Sequence, residues 1–245
     1  MKFQILRFRF INKYNHYRFS SIINPTTKSK INFERISEDY WLSKTANVSN
    51  MCGISELNEE DIAHSNKIFH DLKIDKNFNR ALDVGAGIGR ITFNVLYDKC
   101  EKIDMLDINR KFLESALIKE KEMKGNKIHR LYPQKLQDFN FEFIYDLIFI
   151  QWVLEYLNEE NFVKFLSNAV SHLKDDGYII IKENVNLSDD NVIFIEEEGS
   201  LIRPIKFFES VFKNFRLNVK SDELVIYKNV KYEIYDVNCW VLSKI

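Results

Sequence analysis

Cysteine is scarce in this chain. Cys52, Cys100 and Cys239 are the only three among 245 residues. Far apart and odd in number, they exclude a disulfide framework and a CxxC metal pattern, and they fit a reducing compartment. The five histidines, His16, His64, His70, His129 and His172, show no ligand spacing, so no metal is assigned. No apolar run reaches the ~18 residues of a membrane span, and none is expected. Net charge is also lacking. With 35 basic residues against 36 acidic ones, no global nucleic-acid footprint exists. No internal repeat occurs, which excludes a solenoid. What remains is a chain long enough for one α/β domain with a sizeable core.

Residues 80–110 organise that domain. An apolar run, Ala81-Leu82-Asp83-Val84, ends in Gly85-Ala86-Gly87-Ile88-Gly89-Arg90, followed by a helix-like segment and a second apolar run that closes on Asp107. Strand, glycine turn, helix, strand and acid make the first half of a nucleotide-binding βαβ unit. The glycines allow a sharp turn and close backbone approach to a ligand. A helix from near Ile88 would aim its positive end there. Asp107 stands 22 positions after Gly85, where a carboxylate meets ribose hydroxyls. Arg90 occupies the place where a pyrophosphate binder has its third glycine. A long cation there suits a ligand carboxylate, so the pattern favours S-adenosylmethionine, which carries a ribose and a carboxylate but no phosphate. An NAD-type site and a purely structural glycine turn are the alternatives.

The rest of the pattern predicts a doubly wound sheet. Ser55 or Asn58 caps a helix with Glu59, Glu60 and Asp61 in its first turn. Asn109 caps the helix after Asp107, and residues 128–132 form a third strand. Residues 145–150 read as a buried parallel strand, with Gln151-Trp152 at its end. Asn158 caps the next helix, which Lys174-Asp175-Asp176-Gly177 stops. Residues 178–181 are the fifth strand, ending in Lys182-Glu183-Asn184. An acidic loop, a helix over 204–214 and strands over 216–220 and 232–242 complete seven strands. Ligands bind beyond the C-terminal strand ends of such a sheet, which gathers Gly85, Asp107, Gln137, Gln151, Trp152 and Asn184 around one cleft. The first acid in the chain is Glu34. The basic, aromatic stretch before it marks residues 1–36 as a poorly ordered extension of the domain at 37–245. It has transit-peptide composition as an alternative, and a local nucleic-acid or membrane-surface contact as a third. Cytoplasmic or nuclear residence is expected, with organellar targeting open. Fusing residues 1–40 to a fluorescent reporter distinguishes these.

Several stretches, taken together, resemble the α-N-terminal protein methyltransferases, which act on proteins starting Xaa-Pro-Lys or Xaa-Pro-Arg. They are Tyr40-Trp41, residues 81–92 around Gly85-Ala86-Gly87-Ile88-Gly89-Arg90, residues 103–107, Leu136-Gln137-Asp138-Phe139, Ile150-Gln151-Trp152-Val153, Ile181-Lys182-Glu183-Asn184 and Glu233-Ile234-Tyr235. The resemblance spans about residues 40–242 and implies a Rossmann-like class I methyltransferase sheet with helical additions at its N-terminus. It implies that Gly85, Gly87, Arg90, Asp107, Ile108, Asn109, Leu136, Gln137 and Gln151 bind the methyl donor, S-adenosylmethionine. Trp41, Leu57, Trp152, Ser200, Glu233 and Tyr235 would line a channel for the N-terminal segment of a protein substrate, with Asn184 beside the amine. The acidic stretch Glu196-Glu197-Glu198 stands where the family has aspartates; Glu198 is favoured near the amine and Glu196 second, while a solvated surface loop is the plain alternative. Where the family commonly has Gly-His, this chain has Glu155-Tyr156, and Lys135 replaces a glycine. A methyltransferase for a small amine or lipid head group is the second functional reading, and a non-catalytic donor-binding protein the third.

Overall fold

A computed structural model describes residues 33–52, 56–74, 77–228 and 234–245. Its sheet begins with five parallel strands: β1 (Phe78–Val84), β2 (Cys100–Asp107), β3 (Ile128–Pro133), β4 (Tyr145–Gln151) and β5 (Leu173–Asn186). Their spatial order is β3-β2-β1-β4-β5. A hairpin follows, β6 (Ile193–Ile195) and β7 (Ser200–Pro204), joined to the far end of β5 through Val185 and Asn186. Two further strands, β8 (Leu217–Val225) and β9 (Asp236–Lys244), close the domain; β9 lies antiparallel along β5, and β8 along β9. The seven-stranded, doubly wound sheet read from the sequence is therefore present, with the hairpin added. Strand order reverses between β1 and β4, and the crevice there opens at the C-terminal strand ends.

Helices α1 (Phe33–Ser43), α2 (Val48–Cys52) and α3 (Leu57–Asp71) precede the sheet; α4 (Arg110–Glu122), α5 (Glu159–Ser171) and α6 (Ile205–Asn214) cross it. One face of the sheet packs Ile148, Ile181 and Trp240 against Phe162 and Phe165 of α5 and Phe208 and Phe212 of α6. Trp240 stacks on Phe208 with centroids 4.6 Å apart. The other face packs Phe149, Ile180 and Val241 with Ile68 and Phe69 of α3 and Leu113 and Ala116 of α4. Each such side chain contributes roughly 1.5–3 kcal/mol on leaving water. All of β4 is buried, as expected of a central parallel strand. Among the described residues, no helix is long and apolar enough to cross a membrane.

Local cap chemistry was legible. Asn109 accepts from Lys111 N at 3.0 Å, and Asn158 from Asn161 N at 2.8 Å. Other expectations are corrected. The helix after the glycines starts at Arg90, not Ile88, and is only a short wide-turn segment through Leu96. Helix α3 begins at Leu57 with Asn58 inside it and no side-chain cap; Ser55 lies outside the described residues. Lys174–Gly177 belongs to β5 instead of a helix stop, bulging where its pairing with β4 shifts register. The acidic loop is the β6–β7 hairpin. Strand β9 starts at Asp236, which leaves Tyr235 just before the strand.

Candidate active site

The C-terminal ends of β1 and β2 meet through one carboxylate. Asp107 Oδ2 accepts from Gly87 N at 2.9 Å and Oδ1 from Asn109 N at 2.8 Å. Asp107 therefore ties the glycine turn to the start of α4, while Asn109 does the capping. Burial lifts the Asp107 carboxyl to about 6, against the pull of those two N–H donors. Gly85 and Gly87 have φ of +71° and +53°, a region that only glycine enters without strain. A Cβ on Gly85 would stand 2.8 Å from Val153 Cβ. Val153 is held in its turn, so the clash has no outlet. Gly85→Ala is expected to cost at least 1–3 kcal/mol and to weaken donor binding. Thermal unfolding and titration calorimetry check this; an unmoved melting midpoint would show that the turn tolerates a side chain.

The end of β4 carries the next group. Gln151 Nε2 donates to both oxygens of Asp61, at 3.0 and 2.9 Å. That leaves Gln151 Oε1 buried and without a partner. Trp152 follows with φ of +50°, strained for a bulky residue, and its N donates to Lys182 O at 3.0 Å. The turn after it is clamped from β5 and β7. Glu183 Oε1 accepts from Val153 N and Leu154 N, both at 2.8 Å. Arg203 Nη1 donates to Leu154 O at 3.2 Å, and its Nη2 donates to Leu157 O. Trp152 is thus held in its pose from both sides, and its Nε1 is also buried without a partner.

Asp61 is a buried hub, not the surface first-turn acid its position suggests. Lys182 Nζ lies 2.5 Å from its Oδ1, Arg90 Nη1 2.5 Å from its Oδ2, and Tyr227 donates to Oδ1 at 2.9 Å. Burial pushes its pKa up, but the Lys182 and Arg90 charges outweigh that and hold it at about 2. Sequence reasoning missed this group. The available signal was Lys182 inside an apolar strand, since a buried charge needs a partner.

Helix α1 roofs the crevice. Asn109 Nδ2 donates to Trp41 O at 2.9 Å, Asn158 and Asn161 donate to Glu34 Oε1 at 2.9 and 2.8 Å, and Lys135 Nζ meets Glu38 Oε2 at 2.5 Å. Under this roof lies a cavity lined by Trp41, Gly85, Gly87, Arg90, Asp107, Ile108, Leu136, Gln137, Gln151 and Trp152 among the expected residues. Asp83, Met51 and Val153 line it too and were not expected, and so does Tyr156, which stands where the family commonly has histidine. Tyr156 packs edge-on against Trp41 with centroids 5.7 Å apart.

A second cluster lies where β5, β7 and the turn after β4 meet. Asn184 Nδ2 donates to Glu155 Oε2 at 2.9 Å, and Ser200 Oγ donates to Glu198 Oε1 at 2.8 Å. Burial raises the pKa of Glu198, opposed by Ser200. Glu196 is exposed at the hairpin turn, as the plain surface-loop reading expects. Leu57 is buried at the start of α3 and is not among the cavity-lining residues. Tyr235 is half-buried ahead of β9, and Glu233 lies outside the described residues.

The cavity fits S-adenosylmethionine on the chain's own evidence. It has a half-buried carboxylate for ribose hydroxyls, side-chain-free glycines at close approach, and two buried polar atoms, on Gln151 and Trp152, that lack partners. A family model described as AdoMet dependent proline di-methyltransferase matches residues 29–243. The chain is 33% identical over 207 residues to the N-terminal Xaa-Pro-Lys N-methyltransferase 1-B of Xenopus laevis, covering 82% of this chain and 91% of that one. It is 29% identical over 217 residues to the alpha N-terminal protein methyltransferase 1 of Dictyostelium discoideum, covering 85% and 78%. Among solved structures, a SAM-dependent methyltransferase from Leishmania major superposes with a TM-score of 0.76 at 28% identity, covering 86% of this chain and 83% of that one.

Proposed function

Because the chain belongs to the AdoMet-dependent proline di-methyltransferase family, we propose that it methylates the α-amine of proteins whose N-termini read Xaa-Pro-Lys or Xaa-Pro-Arg. The observation that carries this is one cavity lined by both Trp41 and Trp152, the latter clamped in a left-handed conformation. Two indoles suit a proline ring, and relatives named for the Xaa-Pro-Lys motif support the same reading.

S-adenosylmethionine supplies a methyl group on a sulfonium when bound. The chain's residues do the rest. Asp107 would accept the ribose hydroxyls, and Arg90, ion-paired with Asp61, would line the wall toward the donor's carboxylate. An α-amine has a pKa of roughly 7.7–8.0, so freeing its lone pair at cellular pH costs about 1 kcal/mol or less, against about 4 kcal/mol for a lysine side chain. Little basicity is needed, and alignment in a dry site does most of the work. Asn184 orients the amine through Oδ1, and Glu198, its affinity for protons raised by burial, accepts the released proton or holds the basic third residue.

The test is a peptide panel with purified protein and donor, read by mass spectrometry. A peptide starting Ser-Pro-Lys should gain methyl mass, and a Ser-Ala-Lys peptide should react at least ~10-fold more slowly, because the Pro ring loses its indole contacts. Methylation of small amines with the peptides untouched would overturn the assignment.

A further inference from the structure

Glu155 is 5% exposed, and its partner is Asn184 Nδ2 at 2.9 Å. It sits in the short helical turn Leu154–Tyr156, whose backbone Glu183 and Arg203 hold from opposite sides. Glu155 therefore has little freedom to move away from Asn184. A carboxamide has two orientations that exchange its oxygen and its nitrogen. Only one of them presents a donor to a carboxylate oxygen. With Nδ2 turned to Glu155, Oδ1 is the atom left for a ligand at the end of β5.

We propose that Glu155 is a positioning residue: by accepting from Asn184 Nδ2, it keeps Asn184 Oδ1 turned toward the arriving amine. The identity of that amine rests on the function proposed above; the orientation does not. Gln151 shows the same device one strand away, where Asp61 takes both hydrogen bonds from Nε2 and leaves Oε1 unpartnered at the cavity. Burial, with the Glu183 and Glu198 charges nearby, lifts the Glu155 carboxyl well above the usual range, against Asn184 and Arg203. Charge is not required, because a protonated carboxyl still offers its carbonyl oxygen as acceptor. Glutamine at 155 keeps an acceptor there, and leucine removes it.

The experiment measures peptide turnover, donor affinity by calorimetry and the side-chain amide resonances of Asn184 in the full chain. The variants are Glu155→Leu, Glu155→Gln, Asn184→Ala and the double Glu155→Leu/Asn184→Ala. Glu155→Leu should lower kcat roughly 10–100-fold with donor affinity unchanged, and should collapse the hydrogen-bond shift of the Asn184 amide. Glu155→Gln should restore most of both and leave the pH profile unmoved. Once Asn184 is alanine, adding Glu155→Leu should lower kcat less than about twofold. Loss in Glu155→Gln equal to that in Glu155→Leu would mean the carboxyl itself moves a proton, and additive losses would mean it acts apart from Asn184; either overturns the proposal. If Glu155→Leu does not fold, the Glu155→Gln rate and pH profile decide alone. A wild-type chain inactive on the peptide counts against the proposed substrate only. Asn184 resonances that stay unchanged in Glu155→Leu sink the positioning role whatever the substrate.

Discussion

Replacing Asp107 with alanine is expected to weaken S-adenosylmethionine binding by at least ~100-fold. Each hydrogen bond to a charged acceptor contributes about 1.5–3 kcal/mol, and a ribose offers two hydroxyls to the one carboxylate at the end of β2. Two such bonds together correspond to a factor of about 10²–10⁴ in the dissociation constant. The same carboxylate gives the affinity a pH dependence of defined sign. Burial lifts it to about 6 in the ligand-free chain, and donated hydroxyls favour its ionised form. Affinity should therefore be full above about pH 6 and fall about tenfold per unit below it. Asp107→Ala should be weak and flat across the same range. Calorimetry at several pH values checks both; undiminished binding in Asp107→Ala would mean that the donor sits elsewhere.

Asp61→Ala should be the most destabilising single change at the site. It leaves Lys182, 0% exposed, and Arg90, 8% exposed, without their shared counter-ion. Breaking a buried pair by removing one partner costs about 3–5 kcal/mol, or roughly 6–20 °C in melting temperature for a chain of this size. Donor binding should weaken as well, because Gln151 loses the carboxylate that fixes its amide. Adding Lys182→Met should recover part of the stability, since the stranded ammonium is then gone. The pH dependence has the opposite sense to that of a raised carboxyl. Asp61 titrates at about 2 when folded, below the ~3.9 of an unfolded chain. Its contribution, about 2–3 kcal/mol, is present above pH 4 and is lost as pH falls toward 2. Acid unfolding of Asp61→Ala should lack that component; a melting temperature within 2 °C or so of wild type would contradict the hub.

What the sequence disclosed and what it hid divide along contact range. The glycine turn, Asp107, and the caps Asn109 and Asn158 are local chemistry, and each was readable from a few neighbouring residues. The hairpin β6–β7 was read as a loop because its pairing of Ile193 with Ile202 leaves a short apolar run beside three glutamates. The polar stretch Lys174–Gly177 looked like a helix stop, yet β5 runs through it, with exposed Asp175 and Asp176 bulging between buried Leu173 and Gly177. The role of Asp61 was missed for a related reason at longer range. An acid in a first helical turn is ordinarily a surface group, and its partner Lys182 is 121 positions away. Glu155 stood out only as a departure from a family pattern; its bond to Asn184 becomes visible once the β4 and β5 ends lie side by side.

The central claim is that the crevice presents a free chain terminus to the donor. It is tested most directly by fragment-ion mass spectrometry of a Ser-Pro-Lys peptide methylated by the purified chain, alongside its N-acetylated twin. All added methyl should reside on the α-nitrogen, and the acetylated peptide should stay unmodified. Methyl groups on the lysine side chain, or equal labelling of the acetylated peptide, would contradict it.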